Sequence, residues 1–319
     1  MLPRMPPHHP VLDPAAAYPK IAELRSALDS RDWSAARSLL DTAEPVERGY
    51  LIQAGGAHSG REDLLRGVLA GQPADSTAGA LLGQQLIQAG RTVRTARRAR
   101  DVSREQSAAF HDKLRQAEIV LIDAAARTPD DPAVWTARIT TARGLRLGRS
   151  EARRRYDRLA GIDPHFLPGQ SEFLRQLCPK WGGDWPLAHA FARESADAAP
   201  PGTLNPVLVA EAHLEHWAGL DGDAAAQREH LCADPVRGEL YEAAKRSVWH
   251  PEFRRTHGWV SVMSTFAMAF ALLDDMPAVA SMFTALGDLA TGQPWSYLGD
   301  PATVISRYRA RALPAGGAA

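Results

Sequence analysis

The stretch Glu211-Ala212-His213-Leu214-Glu215-His216-Trp217 holds the residue types best suited to chemistry. His213 and His216 are three apart, so on a helix their imidazoles lie near each other. Imidazole nitrogens are common ligands for zinc and iron. The pair lacks the flanking pattern of a known metalloprotease, and no second cluster stands at a diagnostic spacing. The structural alternative is one histidine packed in a groove and the other solvated.

Three further groups invite a chemical reading. Cys178 and His189 flank a central turn, and a Cys–His nucleophile pair is one option there. The plainer reading makes Cys178 a small buried residue at a helix end. His250 and His257 bracket a turn with Pro251 and Arg254, where Trp249 and Trp259 would line a pocket; packing at helix ends is the alternative. Arg91, Arg94, Arg97, Arg98, Arg100 and Arg104 form a basic run with no interleaved aromatic residue to stack on bases. Contact there would be to phosphate and salt-dependent. Nearby Asp101 and Glu105 favour internal ion pairs or an acidic protein partner over nucleic acid. The chain has no phosphate-cradling Gly-x-x-x-x-Gly-Lys-Ser/Thr loop and no Gly-x-Ser-x-Gly elbow.

The elements that must carry these residues are helical. The composition is rich in alanine and leucine and poor in β-branched residues, which favours helix over strand. Lys plus Arg and Asp plus Glu are both 37, so no net field steers the 319-residue chain toward nucleic acid or a membrane. Charge is nonetheless segregated: residues 91–158 hold 17 basic and 9 acidic residues, a local +8, and the remainder balances it. Two cysteines give no secreted-type disulfide framework, so a reduced cytoplasmic protein is expected. No apolar run is long enough to span a membrane. Residues 1–14, with five prolines, read as a disordered arm rather than a signal peptide.

Apolar residues recur at helical spacing along the rest of the chain. Ile21, Leu24 and Leu28 make one face, and Ala36, Leu39 and Leu40 another. Gly55-Gly56 is expected to end the helix that begins at Pro45. A long helix follows from Ser76, and the next, capped by Ser103, would bury Phe110, Leu114, Ile119, Val120 and Ile122. From there the prolines that close each unit, Pro132, Pro164, Pro200 and Pro235, are 32, 36 and 35 residues apart. Second helices open on a shared corner: Asp32-Trp33-Ser34-Ala35-Ala36, Asp184-Trp185-Pro186-Leu187-Ala188 and Asp275-Met276-Pro277-Ala278-Val279. Gly148-Arg149-Ser150-Glu151-Ala152 is a fourth, without the acidic residue. The aspartate would cap the helix. The small residue would admit a neighbouring helix, and Leu40, Ala192, Phe283 or Tyr156, four positions on, would fill the groove.

This corner and its period of about 34 residues resemble the tetratricopeptide family. Ala152 and Tyr156 match its small and aromatic positions, and Ile139 an apolar one. Thr140, Arg143 and Ala192 depart from the pattern, so the repeats are degenerate. Cys178-Pro179-Lys180-Trp181-Gly182-Gly183 resembles a Trp-Gly-Gly signature of bacterial helical proteins, which brings no activity with it.

The expected fold is therefore all-α, an α-solenoid of stacked antiparallel helix pairs. The expected domain plan is an arm over 1–14, helical pairs over 15–107, and a tetratricopeptide-like core over 108–235. Further pairs and a cap follow over 236–313, then a disordered tail over 314–319. The resemblance implies an interaction or scaffold module without cofactor, gripping a peptide or protein in a concave groove. Trp135, Arg138, Arg143, Phe173, Arg175, Trp181 and Trp185 are the expected partner-binding residues. The alternative is a small-molecule binder or metal-dependent enzyme, set in bacterial specialised metabolism. Its site would gather Trp181, Trp185, His189, His213 and His216, with His213 and His216 holding a transition metal.

Overall fold

The computed structural model describes residues 9–94 and 104–313, with no side-chain detail for residues 93 and 94. Among them the chain is all-helical; its only extended pairing is an isolated parallel bridge between Val11 and Leu289. The helices fall into two compact units, Tyr18–Gly183 and Asp184–Ala319, the second joined by the residues up to Ala17. The division falls inside the 108–235 segment read as one core.

The first unit contains α1 (Lys20–Asp29), α2 (Trp33–Asp41), α3 (Pro45–Ala57), α4 (Glu62–Gly71), α5 (Ser76–Arg94), α6 (Arg104–Arg127), α7 (Pro132–Gly144), α8 (Arg149–Ile162) and α9 (Leu167–Leu177). The second contains α10 (Trp185–Ala198), α11 (Val207–Gly219), α12 (Ala224–Cys232), α13 (Asp234–Arg246), α14 (Trp259–Leu272), α15 (Met276–Leu286) and α16 (Pro301–Ala312). Consecutive helices pack as pairs, among them α1 with α2, α7 with α8, α10 with α11, and α14 with α15.

The predicted corners do what their residue types require. The carboxylates of Asp32, Asp184 and Asp275 accept from the backbone N–H of Ala35, Leu187 and Ala278 at 3.0, 2.8 and 3.2 Å. The small residues Ala36, Ala152, Ala188 and Val279 are buried, as are Leu40, Tyr156, Ala192 and Phe283 four positions on. Gly148, in place of the capping acid, enters α8 at φ 93°, a backbone state glycine adopts without steric cost. Asp131, Asp223 and Asp300 cap three more helices in the same manner.

Three expectations are corrected. Gly55 and Gly56 do not end α3 but lie inside it: a side chain at Gly56 would stand 2.3 Å from Gln84 Cγ, so the pair serves close approach to α5. The buried face of α6 is Phe110, Leu114, Ala117, Leu121 and Ala124, which keeps the 3.6-residue period. Ile119 and Ile122 fall on its other side and are 69% and 49% exposed. The predicted arm is tied down at Val11. Val11 donates to the Asp288 carbonyl, and Ala290 donates back to Val11. Ser103, residues 1–8 and the tail from 314 lie outside the described residues, as do Arg97, Arg98 and Arg100 of the basic run.

Polar side chains close the interior of the first unit. Glu172 accepts from Thr140, Arg143 and Arg175, and Arg91 stands 4.0 Å away. Glu118 accepts from Arg138, Thr141 and Arg155. No helix among the described residues is long and apolar enough to cross a membrane.

Candidate metal centre

Four histidines of the second unit meet between α10, α11, α12 and α13. Asp184 caps α10, and Pro186 fits its first turn, where no N–H partner is needed. Trp185 then opens the helix and His189 follows one turn later. His213 and His216 lie on α11, one turn apart. The chain turns back through Gly222, at φ 92°, and Asp223 caps α12. That helix carries His230 in its last turn. Gln227 donates to the Trp217 carbonyl at 3.0 Å, fastening α12 to α11.

His189, His216 and His230 each offer one ring nitrogen, and these three atoms lie within 4.8 Å of one another. Nε2 of His189 and Nδ1 of His216 are 3.1 Å apart. The rings of His216 and His230 are 3.9 Å apart, centre to centre. The indole of Trp185 stacks flat on His216 at 4.3 Å and 12°. Gly219 makes room for that indole, since a side chain there would come within 2.7 Å of Trp185 Cζ2.

His213 stands behind this triad. Its Nδ1 is 3.3 Å from Nε2 of His230, and its Nε2 is 3.1 Å from Oε2 of Glu239 on α13. The other Glu239 oxygen accepts from Arg193 at 3.3 Å.

The electrostatics keep the imidazoles neutral near pH 7. Burial, and then repulsion among the rings, pushes His189 and His213 down to about 3 and His216 to about 4. Burial also lowers His230, against the pull of the His213 backbone carbonyl. Neutral rings keep a lone pair each, the form that binds a metal.

The sequence reading named His213 and His216 together. The structure places His216 among the three converging nitrogens and sets His213 one step back. It joins His189, which the small-molecule reading groups with them, and adds His230 and Glu239. The alternative Cys178–His189 pair is not formed around a reactive thiol: Cys178 is buried and directs its thiol to the Leu174 carbonyl of the helix it follows. His230 and Glu239 were missed because their distances along the chain match no ligand motif. One signal was present: four of the chain's 11 histidines fall between 189 and 230.

The expected partner groove is mostly interior. Trp135, Arg138, Arg143 and Phe173 are buried. Trp135 donates to the Pro129 carbonyl, Arg138 pairs with Glu118, Arg143 pairs with Glu172, and Phe173 stacks on Tyr156 at 4.4 Å. Desolvation and internal pairing hold these side chains, so they offer no surface to a partner. Arg175 is partly exposed and bonded to Glu172. Trp181, partly exposed, lies under the Arg143 guanidinium. Gly183 presses on the Leu177 carbonyl, leaving no space for a side chain, and Gly182 stands at φ 88°, so each glycine of the pair after Trp181 has its own reason. Trp249 stacks on Phe270 and Trp259 pairs with Arg255, so those tryptophans are occupied by packing. Comparison with protein-family models found no match, and comparison with curated proteins found none either. The geometry of the site therefore carries the functional reading.

Proposed function

We propose that this protein binds one divalent transition-metal ion through His189, His216 and His230. The observation that carries the reading is the convergence of three neutral imidazole nitrogens, from three helices, within 4.8 Å. Around an ion held at about 2.0–2.1 Å, tetrahedral ligand nitrogens lie about 3.3 Å apart. The 3.1 Å between His189 and His216 is close to that spacing, and the His230 nitrogen lies within 4.8 Å of both. An all-imidazole set suits zinc, copper or nickel and not the oxygen-seeking magnesium or calcium. Three protein ligands leave a fourth position for water or a substrate atom, as in catalytic rather than structural zinc sites. This supports the metal-dependent reading over the peptide groove, four of whose seven residues are buried.

The test is elemental analysis and zinc titration of protein purified without a polyhistidine tag. About one equivalent is expected in the unaltered protein and none in His216→Ala. Absence of tight binding by zinc, copper, nickel or cobalt overturns the reading.

We further infer that the helix pairs form a tetratricopeptide-like solenoid. The repeated aspartate-capped corner and its buried small residue support this. A compact chain of this length has a radius of gyration of about 20 Å. Small-angle scattering is expected to give a distinctly larger value for a solenoid; a value at the compact limit would count against the stacked array.

A further inference from the structure

We propose that Glu239 and His213 form an outer relay that fixes the proton on His230 and presents its Nδ1 to the metal. The inference deepens the metal reading, and one arm of its test does not depend on that reading.

Glu239 is a carboxylate, which only accepts hydrogen bonds. Its Oε2 lies 3.1 Å from Nε2 of His213, so that nitrogen must carry the proton. A neutral imidazole has one donor and one acceptor. Nδ1 of His213 is then the acceptor. It faces Nε2 of His230 at 3.3 Å, so Nε2 of His230 must be the donor. That leaves the lone pair of His230 on Nδ1, the nitrogen the relay assigns to the metal beside His189 and His216. Arg193 steadies the start of the chain by holding Oε1 of Glu239.

Alternative proton placements do worse. A proton on Nδ1 of His213 would leave its Nε2 lone pair against the Glu239 carboxylate in a nearly buried place, since the His213 side chain is 4% exposed. Facing acceptors in such a site lose a hydrogen bond and add repulsion. Histidine ligands are typically oriented by a carboxylate or carbonyl on their other nitrogen. Here a second imidazole stands between carboxylate and ligand, which carries the order set by Glu239 across α11 to α12.

The relay makes Glu239 a positioning residue, and it has a spectroscopic signature. Nitrogen-15 imidazole spectra of the metal-free full chain near pH 7 are expected to show both His213 and His230 as the Nε2–H tautomer. Assignments come from His213→Gln and His230→Gln. In Glu239→Gln, whose site is partly exposed on α13 and should leave the fold intact by circular dichroism, the His213 tautomer is expected to become mixed. Zinc affinity, measured against a competing chelator, is expected to fall about 10–100-fold. His230 found as the Nδ1–H tautomer overturns the proposal, and so does unchanged zinc affinity in a folded Glu239→Gln protein. If the unaltered protein binds no metal, the metal reading falls while the tautomers still decide the relay.

Discussion

Glu172 shows how much one side chain does in the first unit. Its carboxylate accepts from Thr140 and Arg175 and pairs with Arg143, whose own side chain is 7% exposed. Removing one partner of a buried pair leaves the other charge uncompensated, which costs about 3–5 kcal/mol. Glu172→Gln is therefore expected to lower stability by that amount in urea unfolding. A cost under about 1 kcal/mol would mean that Arg143 finds water or another acceptor. Arg143 and Arg138 also mark where a sequence stops being legible. An arginine on a helix reads as a surface charge, because its buried partner lies 29 or 20 residues away and only packing brings the two together. His230 is the same case at the candidate site: nothing in its neighbourhood distinguishes a ligand from a solvated histidine.

At the scale of elements, the corner that opens α10 couples folding to chemistry. Asp184 fixes where α10 begins, and that start sets both Trp185 on His216 and His189 one turn further. Gly219 completes it by giving the indole its seat. Gly219→Ala separates the two roles. Alanine favours helix over glycine by up to about 1 kcal/mol. Yet its methyl must displace the Trp185 ring, and with it the flat contact on His216. Stability is expected to hold or rise while zinc affinity falls several-fold. Equal affinity in both proteins would show that the stack does not orient His216. The corners and their caps were legible in advance because a cap acts within three residues. The faces of long helices were less so: apolar Ile119 and Ile122 were counted inward, but α6 turns them outward, since its true face follows Leu114 to Leu121 at seven residues.

For the whole molecule, the titrating groups act together in acid. Hydrogen bonds from Arg154, and further pairing with Arg155, hold Glu151 down to about 2, against burial. Burial alone would raise Glu172, but Arg143, Arg175 and Arg91 outweigh it and hold it well below the usual range. For both carboxylates the folded pKa is depressed. Their contribution is full above about pH 4.5, and that of Glu151 is lost as the pH falls through about 2. The histidines add an earlier stage. Below about pH 6.5 the unfolded chain takes up protons that folded His189, His213 and His216 refuse until about pH 3 or 4. Stability of the metal-free protein is thus expected to decline in two steps, from below pH 6.5 and again below pH 4.5. A urea midpoint flat from pH 7 to pH 5 would contradict the buried neutral histidines.

The sequence by itself determined the helical class, the positions of most helices and the capped corners between them. Those features depend on periodicity, caps and turn residues, whose forces act within one or two turns of chain. Only the tertiary structure decided that His189, His216 and His230 converge and that His213 stands behind them against Glu239. It alone decided that four of the seven candidate groove residues are interior. Those outcomes depend on which helix faces meet, and side chains tens of residues apart are joined by packing that no local spacing encodes.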